Sequence, residues 1–248
     1  MTDQNQTQLI HSENWKGIYV LGGIATILVL AGVVLDIALG SVSGGDLAAL
    51  PQTAVERFSQ LQSGWFMGLY NLDLLNTINQ IFMIPVYFAL YAAHRNINKP
   101  FAALALIIFL VGTVIFITGN TSLTMLDLSH KYSAAATESQ KMLIAAAGEA
   151  MLAKGSHGSY SVFIGFVLPN IAGLIISIVM LTGKVFNRTG SWFGIAGSII
   201  ILAYLVLVTF VPSVKGMATA FAAPGGLLLM AWMIFFTIKL FKLGSLKT

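Results

Sequence analysis

The stretch Phe101-Ala-Ala-Leu-Ala-Leu-Ile-Ile-Phe-Leu-Val-Gly-Thr-Val-Ile-Phe-Ile-Thr-Gly-Asn-Thr-Ser-Leu-Thr-Met-Leu126 holds no Asp, Glu, Lys or Arg. A helix rises about 1.5 Å per residue, so about 20 apolar residues cross the ~30 Å hydrocarbon core of a bilayer. A β-barrel strand would instead show about 10 residues of alternating polarity. This run is continuous, so it reads as a membrane-spanning α-helix. Only helices and closed barrels satisfy their own backbone polar groups in lipid.

Five more stretches repeat the pattern: about Gly17–Gly40, Trp65–Ala93, Tyr160–Gly183, Trp192–Val211 and Phe221–Leu240. The first carries one charge, Asp36, and the second is polar in its first half. The expected fold class is all-α: a polytopic membrane protein, a six-transmembrane-helix bundle forming a single membrane domain over residues 1–248. Composition agrees. Of 248 residues, 57% are hydrophobic and 9% charged, with a mean hydropathy of +0.85. A soluble domain is about 25% charged. Too few charges remain to cover a water-facing surface, which argues against a soluble enzyme, a disordered chain or a nucleic-acid binder. The absence of cysteine excludes disulfides and thiolate metal sites. The polar start carries Asp3 and Glu13 rather than a basic region, and the apolar run behind it is too long for a cleaved signal. It reads as a retained anchor. Pro85, Pro169 and Pro212, inside or at the ends of spans, are expected to kink their helices.

Six spans put Lys16, Arg95, Lys99, Lys184, Arg188, Lys239, Lys242 and Lys247 on one side, with only Asp3 and Glu13 for acids. That side is cytoplasmic by the positive-inside rule, so both termini are expected in the cytoplasm. The net charge of +4 and pI near 9.3 follow from this asymmetry, with no polyanion partner implied. Trp15, Trp65 and Trp192 fall near expected interfaces, whereas Trp232 falls mid-span. Lys239 and Lys242 with Phe235, Phe236 and Phe241 read as an interfacial anchor. His94 beside Arg95 reads as a basic loop touching headgroups. On the opposite side, the connection 41–64 holds Gly44-Gly45, Pro51 and a short helix over Thr53–Leu61. The connection 127–159 holds a run rich in Ala, Glu, Lys and Met, which predicts one extracytoplasmic helix over about 137–153, capped by Thr137 or Ser139. It serves either as a connector or as a lid. Gly190-x-x-x-Gly194 followed by Gly197-Ser198 suggests close helix approach.

The run Phe166-Val-Leu-Pro-Asn-Ile-Ala-Gly173, then Met180-Leu-Thr-Gly183, Asn187-Arg-Thr-Gly190 and Gly194-Ile-Ala-Gly197 up to Ala203-Tyr204, resembles the end of small bacterial membrane proteins. These are grouped as the domain-of-unknown-function 4386 family. The front half is similar too: a Gly-rich span, a long outer loop, and a second span ending near Tyr91-Ala-Ala-His-Arg95. The resemblance implies a multi-pass protein of the bacterial inner membrane with no assigned activity, and supplies no catalytic residues.

Polar residues inside spans are costly and tend to face the bundle or a cavity. Span two carries Asn71, Asp73, Asn76, Asn79 and Gln80. At 100° per residue, Asp73, Asn76 and Gln80 share one face, extended by Met83 and Tyr87. Thr118, Asn120 and Thr121 on span three, Asp36 on span one and Asn170 beside Pro169 on span four complete the set. Asp36, Asp73, Asn76, Gln80, Asn120 and Asn170 are therefore the candidate ligand-binding residues of an outward-facing polar cavity. The amides also suit plain interhelical hydrogen bonding, about 0.6–2 kcal/mol each. Asp36 requires a partner or a proton, since a carboxylate within a span costs about 2.5–3.5 kcal/mol on insertion scales. Asp127, His130 and His157 fit no metal-ligand spacing, and the sequence implies no metal and no cofactor.

Three functions fit. The first is binding of a small molecule or lipid, in a sensor or accessory role. The second is transport of a small solute, for which six spans suffice in a homo-oligomer but which lacks the usual internal repeat. The third is an intramembrane enzyme using Asp36 and Asp73 as an acid/base pair, with no nucleophile beside them. The lipid bilayer is the one partner that composition requires, and no nucleic acid is expected.

Overall fold

The computed structural model describes residues 3–42, 50–155, 159–211 and 215–245, and all regular structure among them is helical. Gly44-Gly45, His157, Pro212 and Lys247 lie outside the described residues. Six stretches are long and apolar enough to cross a membrane: Trp15–Gly40, Leu74–His94, Lys99–Ala134, Glu138–Gly183, Arg188–Phe210 and Ala220–Ser245.

Helix α1 (Asp3–Val42) contains the first of these. A short amphipathic α2 (Ala54–Ser63) follows. The stretch expected as a single second span is two helices, α3 (Trp65–Tyr70) and α4 (Leu74–His94). Between them Asp73 takes φ 62°, the left-handed region that Asp and Asn tolerate better than other side chains. Its carbonyl accepts from both Thr77 N and Thr77 Oγ1, which starts α4. The polarity of this region thus marks a helix junction. A second break divides the expected third span. α5 (Lys99–Gly119) stops and α6 (Ser122–Ala134) begins after Asn120, whose side-chain oxygen accepts from Ser122 N and Ser122 Oγ. α7 (Glu138–Gly155) opens with Thr137 Oγ1 accepting from Gln140 N at 3.2 Å, while Gln140 Oε1 accepts from Thr137 N at 3.3 Å. That is a reciprocal capping box. α8 (Tyr160–Gly183), α9 (Arg188–Phe210) and α10 (Lys215–Ser245) complete the chain.

The helices contribute to two compact units. The larger comprises 1–31, 80–113 and 166–248; the smaller comprises 32–79 and 114–165. In the larger unit, Gly190, Gly194 and Gly197 on α9 let Phe235, Trp232 and Leu229 of α10 come close. Trp232 is buried, its indole N–H 3.4 Å from Met180 Sδ and its ring edge-on to Phe236. Its mid-span position is therefore a core position. Phe236 is buried beside it and is not part of an interfacial anchor. His94 also departs from the sequence reading. It is fully buried at the end of α4 and stacked on Phe186 at 5.2 Å, whereas Arg95 lies 3.9 Å over the Trp15 ring. Histidine has an apolar ring body, and burial is open to it once Nδ1 donates to Leu90 O.

α5 and α8 meet where Gly112 faces the Pro169 ring. A Cβ at Gly112 would lie 2.5 Å from Pro169 Cδ and 2.8 Å from Leu168 Cβ, whereas one at Gly226 meets nothing within 4 Å. Gly112→Ala is expected to lower the unfolding temperature in detergent, through overpacking of about 1–3 kcal/mol. Gly226→Ala should leave it unchanged or raise it, since Ala is the better helix former by up to about 1 kcal/mol. Thermal unfolding of the two variants side by side checks the pair.

Candidate functional site

The smaller unit gathers most of the ionisable groups placed near spans by sequence. Its frame is α2. Thr53 caps this helix, and Glu56 Oε2 returns to accept from Thr53 N at 3.0 Å and Gln52 N at 2.9 Å. These hydrogen bonds, the backbone one from Thr53 first, hold the Glu56 carboxyl below the usual carboxylate range. Glu149 of α7 accepts from Ala54 N at 2.7 Å, placing a second carboxylate at the positive end of the α2 dipole. Gln62 donates to Ser129 O of α6 at 3.0 Å. Ala54, Phe58 and Leu61 of α2 form a buried cluster with Leu69 of α3 and Met125 of α6. The apolar positions i, i+4 and i+7 of α2 produce that burial, and Arg57, between Ala54 and Leu61 on the turn, goes inward with them.

Arg57 is 9% exposed, and its Nε is buried without a hydrogen-bond partner. Its Nη1 donates to Gln60 at 3.4 Å. Burial works against the guanidinium charge; the negative charges of Asp73 first and Glu56 second work for it. Asp73 in turn accepts from Asn76 Nδ2 at 3.1 Å. Tyr70, three residues before Asp73, donates its hydroxyl to the Asp36 carbonyl at 3.1 Å. Burial, followed by the charge of Asp36, a hydrogen bond to its side chain and the charge of Asp73, pushes the Tyr70 hydroxyl up to about 12. Tyr70 is therefore a neutral phenol whose hydroxyl is committed to the Asp36 carbonyl.

Beside this polar set lies a groove of about 220 Å³, lined by Leu35 and Leu39 of α1, Trp65, Phe66 and Tyr70 of α3, and Ile78 of α4, among others. The surface of the groove is entirely apolar; the Tyr70 hydroxyl is bonded to the Asp36 carbonyl. Leu35 and Leu39 flank Asp36 on α1, so the groove and the carboxylate share one stretch of helix. Trp65 is 63% exposed and Phe66 51%, leaving the groove open at that edge.

The six residues singled out by sequence fare differently. Asp36, Asp73, Asn76 and Asn120 belong to the smaller unit, and Gln80 and Asn170 to the larger. Asn76 donates to Asp73, and the backbone carbonyl of Asp36 accepts from the Tyr70 hydroxyl. Asn120 donates to Leu72 O at 2.9 Å, holding the α3–α4 turn. Gln80 accepts from Thr113 at 3.4 Å. Asn170 donates to Phe166 O of its own helix at 2.9 Å. Asp127 is bonded to Lys131 at the surface. Sequence reasoning passed over Arg57 and Tyr70. The one usable signal was the capping pattern Thr53-x-x-Glu56 followed by apolar residues at helical spacing around Arg57.

Fold and site together define a multi-pass, all-α membrane protein with an apolar groove on α1, α3 and α4. More particularly, the chain belongs to the family described as Domain of unknown function (DUF4386), whose model matches residues 16–239. No curated protein and no solved structure matches it.

Asn120 joins two helix breaks, whereas Asn170 bonds only within its own helix. Asn120→Leu should cost about 1–3 kcal/mol by leaving the Leu72 carbonyl and the start of α6 unsatisfied. Asn170→Leu should cost less than half as much. Equal losses in thermal unfolding would overturn this ranking.

Proposed function

We propose that this protein is a lipid-binding protein of the bacterial inner membrane, with a sensor or accessory role, that seats the hydrocarbon chain of a lipid in the groove between α1, α3 and α4. The observation that carries the reading is the groove itself: about 220 Å³, apolar, and lined in part by α1 and α4, two helices long and apolar enough to cross a bilayer. Pockets that enclose a small molecule usually measure about 300–1,000 Å³. A smaller open groove suits a segment of chain whose remainder stays in the membrane. Burying apolar surface of the chain against Leu35, Phe66 and Ile78 has no hydrophobic driving force relative to lipid. Selectivity must then come from packing. Both termini are placed in the cytoplasm, which the distribution of Lys and Arg supports.

Two experiments test these statements. Ile78 is 40% exposed at the groove, so Ile78→Trp should fill the space without disturbing the core. Native mass spectrometry of the purified protein should then show several-fold less retained lipid than wild type; unchanged retention would place the lipid elsewhere. The second uses the cysteine-free sequence. A single cysteine at Ser139, on exposed α7, should react with a membrane-impermeant maleimide in intact spheroplasts, and one at Lys99 only after lysis. The reverse pattern would invert the orientation.

A further inference from the structure

We infer that the exposed face of α4, at the end that carries Arg95, seats an anionic phospholipid of the bilayer. The seat lies wholly in the larger unit, so it is independent of the groove described above. Three contacts build it. The Arg95 guanidinium lies 3.9 Å over the Trp15 ring of α1. That ring lies 6.0 Å from the Phe88 ring, which in turn lies 6.3 Å from Tyr91. A cation, an indole and a phenyl ring thus follow one another from the turn after α4 down along the helix. Phe88 is 38% exposed and Ile81 46%. Seven residues separate them, which places both on one face of α4, and Arg95 follows seven residues later, one past the helix end.

Depth and charge both fit a lipid there. At about 1.5 Å per residue, Phe88 lies ~10 Å and Ile81 ~21 Å from Arg95 along the axis. Half a bilayer measures ~15 Å in hydrocarbon and ~20–22 Å with its headgroups. With Ile81 near the midplane, Arg95 stands at the level of the phosphates, and an acyl chain covers Phe88 and Ile81. That hydrocarbon contact gives no advantage over ordinary lipid contact, so the preference rests on the head. Among the described residues the ion pairs are Lys131–Asp127 and Lys141–Glu138, both in the smaller unit. Neither Arg95 nor Lys16, the neighbour of Trp15, is paired with a carboxylate among them, and none of them accepts a hydrogen bond from the Arg95 guanidinium. A guanidinium lying over a ring keeps the N–H donors around its edge, where they bond two phosphate oxygens at once. A zwitterionic head carries its own cation beside the phosphate, where it opposes Arg95 and Lys16. A phosphatidylglycerol head carries none.

The test reads Trp15 in the bilayer, because a lipid on an exposed helix face exchanges with its surroundings. Full-length protein is reconstituted in phosphatidylcholine vesicles with increasing fractions of phosphatidylglycerol or phosphatidylethanolamine, each brominated near the head end of one acyl chain. Bromine quenches tryptophan on contact. In wild type, phosphatidylglycerol should reach half-maximal quenching at about a fivefold lower fraction than phosphatidylethanolamine, the effect of one basic side chain at a membrane surface. Trp15→Phe, which keeps an aromatic ring beneath Arg95, should remove the component that prefers phosphatidylglycerol and leave the quenching of the exposed Trp65 and Trp192. Arg95→Gln should bring the ratio of the two fractions below about two. Arg95→Lys, which keeps the charge and loses the planar edge, should fall between. Equal fractions for the two lipids in wild type, a preference that survives Trp15→Phe, or an Arg95→Gln ratio equal to that of wild type overturns the seat and leaves the groove reading standing. Helical circular dichroism and elution volume matching wild type confirm that each variant is folded. Should Arg95→Gln fail that check, wild type against Trp15→Phe still decides the matter.

Discussion

The hydrogen bond from Asn120 to the Leu72 carbonyl ties together the two places where a membrane-length helix stops short. A helix end leaves carbonyl and amide groups without intrahelical partners, and the bilayer offers no water to replace them. The α3–α4 turn and the α5–α6 junction are both such ends. One asparagine serves both: its amide covers the turn's carbonyl, and its oxygen covers the first amide of α6. Asp73 and Thr77 perform the local part of the same task. Without these side chains neither break is tolerable, and the frame that aligns Tyr70 with Asp36 has no fixed geometry.

Around that frame, α2, α6 and α7 bury apolar surface that a membrane would not drive together. Phe58, Leu61, Leu69 and Met125 are almost completely shielded, and Gly148 of α7 packs on Phe58 and Ala54. Within this cluster a buried guanidinium is expensive, because the cost of desolvating a charge is only partly returned by a partner. Arg57 has two carboxylates acting on it and one nitrogen left unbonded. That arrangement strengthens a link between α2 and the α3–α4 turn without adding to the apolar core. Of the polar set, Tyr70 is the member that lines the groove.

Much of the architecture was legible in the chain. Continuous runs without charge announced six helices, and the family match over residues 16–239 agrees with the motifs around Pro169 and Gly190. The Gly190, Gly194 and Gly197 pattern correctly anticipated close approach of two helices. The candidate site was legible only in part. Asp73 and Asn76 are bonded to each other, whereas Gln80 and Asn170 belong to the other unit. His94, read as a loop residue, is enclosed, and Arg57, which sequence reasoning passed over, is buried. Helical periodicity assumes an unbroken helix, and it fails across a turn such as Asn71–Asp73, where the rotation per residue is no longer 100°.

By itself, the sequence determined which segments are helical and apolar enough to enter a bilayer, because hydropathy and helix length are properties of consecutive residues. It also determined local caps such as Thr53 with Glu56 and Thr137 with Gln140, whose partners lie three positions apart. Tertiary structure alone decided which polar groups meet: Asn120 with Leu72, Tyr70 with Asp36, and Glu149 with the start of α2. Those pairs lie far apart along the chain. A contact between them depends on how breaks and packed helices bring distant backbone together, and no local pattern encodes it.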